Sequence, residues 1–365
     1  MRTDKKSFST RLAAALMAGT LAVGIIGTSA FATSSETKTS TPITSITVNK
    51  KVTTDGNTYA PNTTFTFTVE NGEAGSYDGN PVYAGVDGGL KAGDGAVFSP
   101  EKQGMTTVAG SYTTTGTLVT DVSKFDRAGI YHYTVKEAAN NYEGIVTDST
   151  VYDVYVYVYT NANDSLYVGD VVSTKTVDKK AVKSDLAFVN NYGEGENDST
   201  HDITIKKIIT GNQAKKSDTF TVTVAVSGAT GEKYKVVLNE GTAAEKTDSI
   251  TSGSSKIFTV TNDTTIRVYG LTESDTVTVT EADNSEGYVA TYSKVKSNTG
   301  AEYSENTIND GVNVKQDASK AEVTNTKNAT TPTGIVMNYG PYILMIAFAG
   351  SMAVLFFRRK NHKEA

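Results

Sequence analysis

Cysteine is absent from all 365 residues. That excludes disulfides, thiolate zinc sites, iron–sulfur clusters and cysteine nucleophiles together. Histidine is almost as scarce: His132, His201 and His362 lie far apart, so no imidazole metal site is expected. Asp and Asn are scattered without calcium-loop spacing, and no cofactor is expected. Charged residues make up 20% and hydrophobic ones 38%, a balance that fits neither a disordered polymer nor a polytopic membrane protein. The length suits about two domains. A net charge of −6 hides an asymmetry, because each terminal stretch of 32 residues carries +3 and the body between them −12. Such a body repels polyanions, which argues against binding nucleic acid.

The two ends specify an address. A basic region through Arg11 precedes the apolar run Leu12 to Ile26 and then Ala30-Phe31-Ala32. This is the pattern of a secretory signal over 1–32, cleaved between Ala32 and Thr33. At the other end, residues 335–357 carry no formal charge and are long enough to span a bilayer at ~1.5 Å per residue. Arg358, Arg359 and Lys360 then open a basic tail, 358–365, expected to remain cytoplasmic. Just before the span stands Thr330-Thr331-Pro332-Thr333-Gly334. This segment resembles the cell-wall sorting signal of Gram-positive bacteria, usually Leu-Pro-x-Thr-Gly. Here Pro directly precedes Thr, as in a pilin variant ending Val-Pro-Thr-Gly, with Thr331 in place of Val. The resemblance implies that a sortase cleaves between Thr333 and Gly334 and passes the Thr333 carbonyl to an amine.

Between the ends, runs such as Phe65-Thr66-Phe67-Thr68-Val69 and Val151 to Tyr159 alternate with period two. Gly, Asn and Asp clusters break them up, and no helical pattern intervenes. These are signs of antiparallel sandwiches, an all-β body. The apolar-free stretch 194–200 is a linker between a first domain, 43–193, and a second, 201–329. The two domains repeat each other. Each opens with Ile-Thr-(Val/Ile)-x-Lys, at Ile46 to Lys50 and Ile203 to Lys207. Phe-Thr-(Phe/Val)-Thr-Val follows, at Phe65 and at Phe220. Val-x-Glu-Ala comes later, at Val135 and Val279. Each domain ends on an apolar residue, a spacer and Asn, at Phe188 to Asn190 and Val323 to Asn325.

Alternation places Ile46, Val48 and Lys50 on one face, and Ile203, Ile205 and Lys207 likewise, while Lys51 and Lys206 point away. Glu137 ends the stripe Tyr131, Tyr133, Val135, and Glu281 the stripe Val277, Val279. Each domain thus carries one Lys, one Glu and one Asn at the ends of apolar stripes. Facing a core, all three would be buried. Burial removes the proton from Lys and adds one to Glu. A neutral amine can attack the Asn side-chain carbonyl, with Glu shuttling protons as ammonia departs. Folding supplies the proximity. The expected product is a Lys–Asn isopeptide bond.

The chain resembles the sortase-assembled backbone (major) pilins of Gram-positive bacteria, of the streptococcal pilin isopeptide-linkage domain family. Gly129-Ile130-Tyr131-His132-Tyr133-Thr134-Val135-Lys136-Glu137 is similar to the family's Gly-x-Tyr-x-Tyr-x-Val-x-Glu strand. Phe188-Val189-Asn190-Asn191-Tyr192 resembles its closing Phe-x-Asn-x-Tyr. In the second domain Val323 stands where that Phe is expected. The resemblance implies two tandem immunoglobulin-like β-sandwich domains with crosslinks Lys50–Asn190 (Glu137) and Lys207–Asn325 (Glu281). It also implies an inter-subunit linkage from Thr333 to a Lys seven residues before the first crosslinking Asn. That Lys is Lys183, in a basic loop where Lys179 and Lys180 are the nearest competitors. The implied partners are a sortase, identical pilin subunits, peptidoglycan, tip or basal pilins and host surface ligands. The implied place is a cell-surface pilus, reached through a precursor held briefly in the membrane. Such a chain is no turnover enzyme. The alternative is a monomeric wall-anchored adhesin with the same crosslinks.

Overall fold

The computed structural model describes residues 41–193, 200–282, 286–295, 312–314 and 320–329, together with helical positions 342, 344–349 and 352. The signal with Ala32 and Thr33, the sorting motif with Thr333 and Gly334, and nearly all of the 194–200 linker lie outside these residues. Among the described residues no helix is long and apolar enough to cross a membrane.

The period-two runs become strands whose buried positions alternate. In Ser45–Thr53, Val48, Lys50 and Val52 turn inward. That strand sits in a five-stranded sheet, ordered Ile145–Val146, Ala187–Tyr192, Ser45–Thr53, Ser111–Thr120, Leu90–Ala92. A second sheet is built on Gly129–Glu137, Val151–Thr160 and Leu166–Val177, with Lys180–Lys183 at its edge. Phe65, Phe67, Leu118, Tyr133, Tyr152 and Phe188 fill the space between the two sheets. In the second domain, a six-stranded sheet containing His201–Thr210 and Lys320–Thr326 is packed through one core against a four-stranded sheet containing Phe220–Ser227 and Thr276–Glu281. Both domains are immunoglobulin-like sandwiches.

Most strand pairs run antiparallel, as expected, with an exception that bears on the site. In each domain the first strand pairs with the last in parallel. Lys50 lies opposite Phe188 and Val52 opposite Asn190. Lys207 lies opposite Val323 and Ile209 opposite Asn325. Local alternation cannot distinguish the two pairings, because a strand buries the same face whichever way its neighbour runs. The parallel register also accounts for the apolar residue two places before each Asn. It is the side chain that lies beside the Lys.

The sandwiches meet at Glu232, only 3% exposed. Its carboxylate accepts hydrogen bonds from Tyr142 Oη (2.7 Å) and Tyr192 Oη (3.2 Å) of the first sandwich. Tyr234 Oη (2.7 Å) and the Ala229 N–H (2.9 Å) of the second complete the set. Asp275 lies buried nearby, its Oδ2 accepting from the Thr272 N–H at 2.8 Å. Burial, and then the negative charge of Glu232, push the Asp275 carboxyl up to about 6. A carboxyl raised in the fold binds its proton more tightly than in the unfolded chain, so this group adds stability as pH falls. Between pH 7 and pH 5 the gain should be on the order of 1 kcal/mol. Urea titrations at the two pH values should show it in the wild type, and Asp275→Asn should flatten the difference.

Candidate functional site

In the first sandwich Lys50, Glu137 and Asn190 meet in the core. The parallel pair brings Lys50 and Asn190 together from 140 residues apart. Glu137 arrives from the opposite sheet, at the end of Gly129–Glu137, where it faces Phe67 on the neighbouring strand. Lys50 Nζ donates to Glu137 Oε2 and to Asn190 Oδ1, each at 2.5 Å. Asn190 Nδ2 donates to Glu137 Oε1 at 2.6 Å. One carboxyl therefore touches both the amine and the amide nitrogen. Lys50 and Asn190 are each 1% exposed.

The second sandwich repeats this arrangement. Lys207 Nζ donates to Glu281 Oε2 at 2.6 Å and also to Asn325 Oδ1. Asn325 Nδ2 donates to Glu281 Oε1 at 2.6 Å. Phe65 covers the Lys50 amine at 4.6 Å from its ring centroid, and Phe220 covers Lys207 at 4.2 Å. In the sequence these two Phe stand out only as members of the repeat. Their matching positions at the head of Phe-Thr-x-Thr-Val could have revealed the role. Each ring closes off the amine from water.

Burial sets the protonation. It lowers Lys50 against the hydrogen bond and charge of Glu137, which favour the ammonium. It raises Glu137 against the hydrogen bonds from Lys50 and Asn190. Lys207 is likewise lowered by burial, against Glu281. In the first trio the two shifts both favour moving the proton from amine to carboxyl, which leaves a neutral nucleophile. Taking two charges out of water is costly, so the apolar core weakens the preference for the ion pair and favours that transfer.

Other side chains fall where alternation put them. Lys51 and Lys206 are half-buried outside the cores, with Lys206 paired to Asp263 at 3.1 Å. The segment around Lys183 corrects an expectation, since it is a hairpin and not a loop. Asp178 and Lys179 make the turn at φ 51° and 64°. This left-handed pair is typical of two-residue hairpin turns. Lys180–Lys183 then pairs back, placing Lys183 opposite Thr174. All four residues of the edge strand are exposed.

The fold and the trios define a class: tandem immunoglobulin-like sandwiches with a Lys–Glu–Asn core in each. Residues 46–193 match the Spy0128-like isopeptide containing domain, and residues 201–327 match a domain of unknown function, DUF7601. A pilin of Streptococcus pyogenes serotype M1 is 26% identical over 322 residues, covering 84% of this chain and 88% of its own. The crystal structure of the major pilin from Streptococcus pyogenes has a TM-score of 0.57 at 22% identity, covering 78% of this chain and 99% of that one. The T3.2 major pilin of the same species gives 0.56 at 24%, covering 79% and 98%. Over most of its length the chain is thus similar to streptococcal major pilins, and residues 46–193 carry their isopeptide domain.

Proposed function

We propose that this chain is a shaft subunit of a covalent pilus, its two domains each locked by a self-formed Lys–Asn bond. A sortase would join Thr333 of one subunit to Lys183 of the next and attach the finished polymer to peptidoglycan. The observation that supports this most directly is the paired geometry of two buried trios, each with its Glu touching both reacting nitrogens. The lysine amine attacks the Asn side-chain carbon, a C–N bond forms, and the Asn C–N bond breaks. Of the two protons the ammonium gives up, one leaves with the amide nitrogen as ammonia. The other stays on Glu or departs in ammonium. The chemistry is single-shot, and the only turnover catalyst involved is the sortase.

Intact mass of the secreted body, residues 33–329, tests the proposal. The wild type should have lost two ammonia molecules. Glu137→Ala and Glu281→Ala should each restore one, while Lys51→Ala and Lys206→Ala should change nothing. An internal control lies at the surface. Exposed Lys216 reaches Asn262 Oδ1 at 3.3 Å, and Asn262 Nδ2 donates to Asp263 at 2.6 Å. An amine, an amide and a carboxyl meet there in contact with water, the carboxyl touching the amide, and no third ammonia should be lost. Unchanged mass in both Glu variants would refute the role given to the carboxyls.

A further inference from the structure

Among the described residues, one contact of the first trio has no counterpart in the second. The backbone N–H of Asp148 donates to Asn190 Oδ1 at 3.1 Å, and this is the oxygen that turns negative when the amine attacks. Asp148 lies between Ile145–Val146 and Val151–Thr160. Its carboxylate is used up in holding the backbone in place. Oδ2 accepts from the Val189 N–H at 2.7 Å, and Oδ1 from the Thr150 N–H at 2.8 Å. Val189 immediately precedes Asn190. Asp148 therefore grips the closing strand beside the reacting residue while its own N–H meets the reacting carbonyl. Among the described residues, no backbone N–H within hydrogen-bond distance reaches Asn325 Oδ1 in the second trio.

Resting on the crosslink reading above, we propose that Asp148 is a positioning residue that builds a one-donor oxyanion site for the Lys50–Asn190 reaction. Among the described residues the second trio has no matching donor. In the balanced step, Lys50 Nζ bonds to Asn190 Cγ, the carbonyl electron pair moves onto Oδ1, and the Asp148 N–H stabilises that charge. The electrons return as Nδ2 leaves, carrying a proton passed through Glu137. A preset donor is most effective where charge develops and water is excluded. Losing one such donor in an enzyme costs roughly a hundredfold to a thousandfold in rate. Here the donor is displaced and not deleted when its clamp is cut, so a smaller loss, roughly tenfold to a hundredfold, is expected.

The test uses the full chain, made in a brief cell-free pulse and quenched with acid at timed intervals. Each bond is read separately from proteolytic peptide masses. Asp148→Ala should slow the Lys50–Asn190 bond at least about tenfold and leave the Lys207–Asn325 bond at its wild-type rate. Asp148→Asn keeps an acceptor oxygen for the Val189 N–H and should recover most of the rate. Replacing the peptide N–H at position 148 by an ester oxygen keeps the carboxylate clamp and should still slow the first bond, which a merely structural role would not produce. Wild-type rates in both Asp148→Ala and the ester variant would overturn the inference alone. Equal slowing of both bonds would also overturn it, as a general folding defect. A wild type that loses no ammonia would remove the crosslink reading and this inference with it.

Discussion

Pulled end to end, the Lys50→Ala variant is expected to lengthen by roughly 480 Å when its first sandwich opens, at ~3.4 Å per extended residue. The wild type should release almost none of this length. The 140 residues between Lys50 and Asn190 form a loop that the bond removes from the path of force. The parallel pairing matters here. Chain direction enters at one end of the first strand and leaves at the opposite end of the last, so pulling shears that pair along its length and loads the bond. Single-molecule stretching reads the step directly, and a wild-type step as long as the variant's would contradict the proposal. Stability should follow the same pattern. Loops of 140 and 118 residues, treated like those closed by disulfides, give about 5 kcal/mol per bond. At roughly 2–4 °C per kcal/mol, each lost bond should lower Tm on the order of 10–20 °C. Lys50→Ala also leaves Glu137 buried without its amine, itself destabilising by several kcal/mol. Lys50→Met with Glu137→Leu removes both charges and should still melt well below the wild type.

The trios were legible in the sequence because period-two alternation is a strong constraint. A one-residue slip in any of the three strands would have moved its own Lys, Glu or Asn to the wrong face. Repetition in a second domain made the pattern hard to attribute to chance. Strand direction was not legible, since parallel and antiparallel neighbours bury the same face. Phe65 and Phe220 were visible as repeats, but their position over the amines depends on how the two sheets pack. Asp148 could not have been found at all. Its contribution is a backbone N–H, which every residue but proline has, and its carboxylate reads as one more turn former. The junction at Glu232 is another blind spot, because Tyr142 and Tyr192 meet it across 90 and 40 residues. Lys183 was placed by resemblance. What sequence could not supply was the turn at Asp178 and Lys179, where two left-handed residues fix the hairpin register.

That register singles out Lys183 among the lysines of the hairpin. Lys183→Ala should abolish the ladder of detergent-resistant polymers in wall extracts, while Lys179→Ala and Lys180→Ala should leave it intact. A sortase thioester at Thr333 needs an amine that is both exposed and held still. Lys179 sits in the turn itself, and Lys180 is the first residue after it. Lys183 lies at the far end of the edge strand, its backbone held opposite Thr174, and the next residue is tied down as well. The Ser184 N–H donates to Ser173 O at 3.0 Å, and Ser173 Oγ donates to Ser184 O at 2.6 Å. The side chain therefore projects from a fixed base while remaining exposed. Only four residues separate Lys183 from Phe188, which packs in the core, and Asn190 follows two further on. The proposed joint between subunits thus lies beside the bond that locks the first domain, and tension arriving through Lys183 reaches Asn190 within seven residues of chain. A ladder lost in Lys179→Ala and kept in Lys183→Ala would move the joint to the turn. A single band in the wild type and in every variant would favour the monomeric wall-anchored adhesin.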